Sequence, residues 1–375
     1  MKTELLHILR TANRAVSGQE LCEKFGVSRT AIWKVIGQLK DEGYEIVSVT
    51  NRGYELIGTP DHLTRHELES RLWDCAFGHE VLAFDRVTST NQVLKEGMDD
   101  RPHGLLAVAE EQTMGKGRRG RAWQSPPGTG IWMSLLIKDL HRTECAPMVT
   151  LVAALAVRQA IEEMLGRAEI PDGEPDGTCE EMSVPEIFAG KPTDMSGEEE
   201  AALEHDTGKP IESAATLPQV QIKWPNDIVI GGKKVCGILT EMVTEVDYLH
   251  GIIVGIGINV HQAKFPPEIA QTATSLYLAT GRHPNRPELA ERILRGFEKK
   301  YDIFSKDQDL RSLRGEYNRA LANAGKQIRV LDGEDSFNGI GVGIDDGGRL
   351  LVETPEGMKT VRSGEVSVRG IYGYV

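Results

Sequence analysis

Two apolar runs, GLLAVAEEQ over 104–112 and GIWMSLLI over 130–137, flank a loop, TMGKGRRGRAWQSPPGT, that has no room for a helix. Both runs have the length and apolarity of buried strands. Gly115, Gly117 and Gly120 spell GxGxxG, with Asp139 lying 19 residues beyond Gly120. A dinucleotide-binding unit needs a helix directly after such glycines. RAWQSPPGTG follows instead, and its prolines and glycines exclude that helix and the doubly wound fold that depends on it. A kinase-type glycine loop is excluded because no VAIK, HRD or DFG run follows, and GxxxxGK[ST] is absent. The loop must therefore be read from its own chemistry. Its glycines let backbone N–H groups approach a ligand closely. Lys116, Arg118, Arg119 and Arg121 offer point charges and planar forks to carboxylate and phosphate. A reaction between two anions would need such a loop. A second nucleic-acid contact, or a basic patch offsetting acidic charge elsewhere, is the alternative.

That acidic charge is localised. The chain of 375 residues carries a formal net charge of −13. Residues 168–216 hold 14 Asp and Glu against two Lys, a balance of −12, so the remainder is nearly neutral at −1. This Pro-, Gly- and Ser-rich stretch lacks a helical or strand period and is expected to be a solvated, disordered insertion. A docking segment for a partner is the other reading. The five cysteines are odd in number and form no CxxC pair, so neither a disulfide framework nor a zinc site follows. The stretch MKTELLHILRTANRAV interrupts its apolar residues with charges, which fits neither a signal peptide nor a membrane span. A cytoplasmic protein without membrane partners is the expectation.

Length suggests two or three domains. Residues 1–60 have the pattern of a winged helix-turn-helix. Ser17 and Ser28 are placed to cap successive helices, with Gly26 at the turn. Ile32, Val35, Ile36 and Leu39 form one apolar face of the second helix, leaving Arg29, Thr30, Trp33 and Lys34 outward. YEIVSV and GYELIG then alternate around Arg52, which makes a β-wing with a cation near its tip. These five residues are the candidate DNA contacts. The block's net charge of only +1, from 8 Lys and Arg against 7 Asp and Glu, favours a dimer on paired half-sites. Dimerisation or protein binding is the alternative use of this motif.

Residues 66–322 mix strands and helices. VTLVAALAVRQAIEEML (149–165) is a core helix, and 219–260 a strand meander with Gly231 and Gly232 in a hairpin. From 323 to 375, short strands divided by DDGG and PEG turns suit a small β-barrel of SH3-like type. The fold class is α+β.

Three further motifs carry chemistry. In QVQIKWPND, Val220, Ile222 and Trp224 alternate with Lys223, so the lysine points off the packed face at a strand end. There it could stabilise charge developing on a carboxylate or phosphate, or be an ordinary exposed lysine. TSTN (88–91) sets hydroxyls at a helix start, either as caps or as donors to a carbonyl oxygen. GIGIN (255–259) is a strand whose glycines would let a flat ring lie against backbone.

In this order, and behind a winged helix, STN, GKGRRGRAWQSPPG, KWPND and GIGIN closely resemble the bifunctional biotin–protein ligase and biotin repressor family. The resemblance covers nearly the whole chain except 168–216. It implies a central domain like that of class II aminoacyl-tRNA synthetases and an SH3-like C-terminal domain. It implies two steps: biotin carboxylate attacks the α-phosphate of Mg-ATP to give biotinyl-5'-AMP, and a lysine of a biotin carboxyl carrier domain takes the biotinyl group. Carried onto this chain, it makes Ser89, Thr90, Asn91 and Gln112 contacts to the ureido ring. Lys116, Gly117 and Arg118 become loop residues closing over biotin, and Lys223, with Arg118, the catalytic pair touching biotin. Gly115, Arg121, Trp123 and Asn259 fall on the adenylate side. Arginine is frequent in the family where this chain has Lys116. Mg²⁺ is implied without assigned ligands, as are operator DNA and a ligand-promoted homodimer. A ligand-sensing repressor without ligase activity and a lipoate–protein ligase are the rival readings.

Overall fold

In the N-terminal head, helices α1 (Lys2–Thr11), α2 (Gly18–Phe25) and α3 (Arg29–Asp41) precede a hairpin of β1 (Glu45–Val49) and β2 (Gly53–Gly58). The structure, a computed structural model, describes residues 1–12, 14–140, 142–166, 218–245, 248–331, 336–363, 367–370 and 374–375. The expected caps form: Ser17 accepts from the Glu20 N–H and Ser28 from the Ala31 N–H, with Gly26 at φ +64 between the helices. Leu5, Leu6, Leu21, Ile32, Ile36 and Leu39 are buried together.

The central block runs α4 (Arg65–Arg71), β3 (Val81–Val87), α5 (Thr90–Lys95), β4 (Leu106–Gln112), β5 (Gly130–Ile137) and α6 (Ala146–Met164). It continues with β6 (Val220–Lys223), β7 (Asp227–Ile230), β8 (Lys233–Glu245), β9 (Tyr248–Asn259), α7 (Leu276–Thr280), α8 (Arg286–Asp307) and α9 (Arg314–Ala320). Its seven strands form one mixed sheet in the order β3-β4-β5-β9-β8-β7-β6. Only β3 and β4 run parallel; the 219–260 meander is antiparallel throughout. α6 packs on this sheet and against α8. The stretch Thr143–Met164 is long and apolar enough to cross a membrane, but most of it is buried inside the fold. Each fully buried Leu or Val along it contributes about 1.5–3 kcal/mol through apolar burial.

The C-terminal block corrects the expectation of an SH3-like barrel. β10 (Gln327–Leu331), β11 (Phe337–Ile344), β12 (Leu350–Thr354), β13 (Gly357–Val361) and β14 (Ser367–Gly370) form an antiparallel sheet in the order β13-β12-β11-β10-β14. Its edge strands β13 and β14 do not pair with each other among the described residues, so the sheet stays open. The turn signals that suggested a barrel fix hairpins, and closure is a separate long-range pairing they do not encode. The sheet is bonded to the central block instead: the Trp224 indole N–H donates to the Gly348 carbonyl and Leu310 N–H to that of Asp346.

The acidic stretch 168–216 lies outside the described residues. Contacts divide the chain into one unit of Met1–Arg167 with Pro218–Val375, and another of Ala168–Leu217.

Candidate active site

The site lies on the sheet face that carries α5. In β9, Gly255 stands opposite Ser134 of β5 and Leu239 of β8, while Gly257 stands opposite Trp132 and Gly237. Those glycines hollow the face. A Cβ at Gly257 would lie 2.6 Å from Nε1 of Trp123, and one at Gly237 3.1 Å from the same ring. Trp123 therefore lies flat enough on the strands to need both positions bare, with its ring edge-on to Trp132 at 6.4 Å. A Cβ at Gly255 would meet Asn91 Oδ1 at 2.3 Å.

Beside Trp123 is a cavity of about 350 Å³ lined by Ser89, Thr90, Asn91, Gln112, Lys116, Gly117 and Arg118. Its polar wall is one connected network. Gln112 Oε1 accepts from the Thr90 N–H at 2.8 Å, and Thr90 Oγ1 lies 2.6 Å from Ser134 Oγ. Ser134 donates to Asn91 Oδ1 at 2.6 Å, and Asn91 Nδ2 to Glu241 Oε2 at 2.6 Å. Each hydroxyl has one proton, so with Ser134 donating to Asn91 the Thr90 hydroxyl donates to Ser134, and Gln112 Oε1 is held by the Thr90 N–H. Ser89, at the helix N-cap, makes no side-chain capping bond, and Thr90 bonds Gln112 and Ser134. The Thr90 hydroxyl is thus engaged with the cavity wall, and that of Ser89, which also lines the cavity, does not cap the helix end.

A second cavity of about 620 Å³ opens on the other side of Trp123. Lys223, Arg121, Asn259, Asp227, Arg369 and Tyr374 are among its walls. Gly117, Arg118, Trp123, Asn226 and Lys234 line both cavities, so they form the seam between them. Arg118 reaches it from a tight hairpin: Trp123 N–H donates to the Gly115 carbonyl and Gly117 N–H to that of Arg121, both at 2.8 Å. No helix follows the glycines, as the prolines require. A Cβ at Gly115 would lie 2.6 Å from the Trp123 carbonyl oxygen, which ties this glycine to the hairpin. The Arg118 guanidinium donates to Asn226 Oδ1 at 3.0 Å, and Asn226 Nδ2 to the Ile238 carbonyl at 3.0 Å. Burial lowers the Arg118 pKa, opposed by Asp227.

Lys223 is 6% exposed, which overturns its reading as an ordinary surface lysine. Burial pulls its pKa down to about 8, against the attraction of Asp227. Burial pushes the Asp227 carboxyl up, but Lys234, Lys223 and the Tyr374 hydroxyl outweigh it and hold the group below its usual range. Lys234 sits 2.6 Å from Asp227 Oδ1 and 5.1 Å from the centre of the Trp123 ring. Asn259 is buried and donates to the Thr274 carbonyl at 3.0 Å.

The candidate residues of the loop, STN, KWPND and GIGIN thus converge on two adjoining cavities, except Gly115, which lines neither and shapes the hairpin instead. Sequence reasoning missed Ser134, Glu241, Asp227 and above all Lys234, the lysine on the seam itself. The available signal was the second lysine of GGKKV, which enters the site only because β8 pairs with β7 through a bulge at Ile228/Val229. Arg29, Thr30, Trp33, Lys34 and Arg52 are exposed on the head, apart from this site. Trp33 is 68% exposed, unusual for so large an apolar ring and consistent with a surface that meets a partner.

Comparison with known proteins matches this arrangement. The "Biotin/lipoate A/B protein ligase family" matches residues 83–259, an "HTH domain" 2–55, and the "Biotin protein ligase C terminal domain" 324–369. The chain is 35% identical over 373 residues to the "Bifunctional ligase/repressor BirA" of Bacillus subtilis (strain 168), covering 98% of each chain. It is 25% identical to the protein of that name from Escherichia coli (strain K12), over 94% of this chain and 92% of the other. Among solved structures, "Biotin protein ligase from Aquifex aeolicus in complex with biotin and ATP" superposes with a TM-score of 0.57 at 28% identity, covering 77% of this chain and 98% of that one. On fold, site and full-length identity together, this chain belongs to the family of bifunctional biotin–protein ligase/repressors.

Proposed function

We propose that this protein, in the cytoplasm, activates biotin with ATP to biotinyl-5'-AMP, passes the biotinyl group to a lysine of a biotin carboxyl carrier domain, and represses biotin synthesis genes. The observation that carries the reading is the cationic seam where two cavities meet. Biotin's ureido ring is assigned to the Ser89, Thr90, Asn91 and Gln112 wall, whose fixed donors and acceptors suit a group with one carbonyl and two N–H bonds. A lipoate dithiolane offers no such partners, which favours biotin over the lipoate reading. Its carboxylate then points to Lys116, Gly117 and Arg118. The nucleotide is assigned to the larger cavity, between Arg121, Trp123 and Asn259, with its α-phosphate at the seam, while Gly115 contributes through the hairpin that presents Trp123.

Carboxylate and phosphate repel, so the chain's main task is to hold both and to neutralise charge as oxygen attacks phosphorus. Arg118 has the planar fork for clamping both anions. Lys223 supports the phosphate side, and Lys234 the meeting point. Removing one such preorganised donor costs about 10²–10³ in rate. Mg²⁺ would arrive with the triphosphate. The described residues gather no cluster of three metal-binding side chains, and magnesium on nucleotides needs only one or two carboxylates.

The domains are assigned as 1–60 for DNA binding, 66–322 for ligation and 323–375 as the C-terminal block that completes the nucleotide side. Adenylate binding is proposed to promote a homodimer that places two heads on an inverted repeat of operator DNA. The test is transfer of labelled biotin to a carrier domain with and without ATP, beside an Arg118→Gly variant. Label confined to the acceptor lysine in the parent, and spread over other proteins by the variant, is expected. Biotin binding without any ATP-dependent labelling would leave a ligand-sensing repressor.

A further inference from the structure

The reading above leaves unused a tyrosine that the C-terminal block carries into the larger cavity. Val375 lies against β14, where a Cβ at Gly370 would be 2.3 Å from its carbonyl oxygen. Tyr374 beside it sits at the start of β7 and the end of β6. Two contacts of different kinds hold it there. Its hydroxyl donates to Asp227 Oδ2, and the Lys223 ammonium sits 3.9 Å from the centre of its ring.

The pair of contacts has a shared effect. Asp227 lies one hairpin register from Lys223, the two being Cα partners at the β6–β7 turn. A carboxylate so close would draw the lysine into an ion pair and spend its N–H donors. Lys234 is ion-paired to one oxygen of that carboxylate and the Tyr374 hydroxyl donates to the other. The aromatic face then stabilises the ammonium as a cation while supplying no oxygen to it. Resting on the proposed nucleotide side of the site, we infer that Tyr374 is a positioning residue for adenylate formation: it keeps Asp227 engaged and Lys223 dry and available to the phosphate. The open C-terminal sheet, on this inference, contributes directly to chemistry on the central block.

The other charged groups facing Lys223 are Asp227 and Lys234 from the neighbouring strands, Arg118 from the loop and Arg369 from β14. Of these only Asp227 is touched by Tyr374, through the hydroxyl that Tyr374→Phe removes while keeping the ring over Lys223, so the pH profiles of the two variants separate the ring from the hydroxyl. The experiment is ATP–pyrophosphate exchange by the full chain as parent, Tyr374→Phe and Tyr374→Ala, with biotin affinity by calorimetry and thermal midpoints as controls. Tyr374→Ala is expected to lower kcat about tenfold or more with KM for ATP little changed, since misplacement of a charge by one ångström costs that much or more. Opening the site to water should also move the alkaline limb upward from near pH 8 toward that of an ordinary lysine. Tyr374→Phe keeps the ring and should retain the parental limb with a smaller loss. Biotin affinity should match the parent in both. A parental kcat in Tyr374→Ala, or a fall in kcat with the limb unmoved, would overturn the inference and leave the tyrosine a structural contact. An absence of exchange in the parent would overturn the functional reading, and this inference with it.

Discussion

Lys223 is charged at neutral pH in a place that disfavours charge. Its pKa of about 8, against 10.5 for a free lysine, means that the folded protein pays for the ammonium below pH 8. The unfolded chain holds the proton more tightly, so this cost is relieved as pH rises from 8 to 10.5 and stability gains over that window. Activity runs the other way, because deprotonation removes the cation. Adenylate formation is expected to fall with an apparent pKa near 8, and Lys223→Arg to push that limb out of the accessible range at a reduced rate; a pH–rate profile checks both. Lys223→Met should raise stability at pH 7 by on the order of 1–3 kcal/mol while losing activity, read by denaturant unfolding. The cations themselves were legible in the sequence, since GKGRRGR and KWPND mark a place for anions. Which lysine lines both cavities was not, because Lys223 and Lys234 are distinguished only by strand pairing.

Elements position these side chains through what they leave out. The cross-strand row Trp132, Gly257 and Gly237 is a slot for one indole, made by two glycines on neighbouring strands in register. Gly257→Ala would place a methyl 2.6 Å from Trp123 Nε1 and 2.8 Å from Cε2, so the ring must lift. The expected result is a loss of about 1–3 kcal/mol in adenylate affinity by calorimetry with a smaller change in unfolding free energy, because the indole rather than the strand gives way. The strands and core helix that form this floor were readable from period and apolarity, as were both caps of the head. GIGIN was also readable as a bare strand, but its partner glycine Gly237 stands 20 positions away across a long hairpin and its occupant Trp123 more than 130 positions away. The same limit explains the barrel: hairpins are local, closure is not.

At the scale of the whole molecule, charge joins head to body. Glu67 of α4 is fully buried and meets Arg10 of α1 at 3.0 Å and Arg71 at 2.6 Å, while Arg71 also reaches Glu291 of α8 at 2.9 Å. The connecting segment 59–64 is fastened as well. Arg286, 1% exposed, holds Asp61 through Nε at 2.9 Å and Glu110 of β4 through Nη1 at 2.7 Å, and Glu110 accepts from the Leu63 N–H. Burial works against the Asp61 carboxylate, but His261 and Arg286 hold its pKa down to about 2. Its folded value lies below the unfolded one, so its contribution is present above about pH 4 and is lost as pH falls toward 2. Asp61→Ala at neutral pH should speed limited proteolysis within 59–64 about tenfold or more, since cleavage tracks local opening. Biotin transfer should be reduced far less. The fastened connection also bears on how such proteins diversify. A head fastened by these contacts would read DNA at a distance dictated by the body beneath it. Exchanging heads between relatives would then change which bases are read and leave the spacing between half-sites alone, so the vocabulary and the ruler of such a repressor can evolve separately.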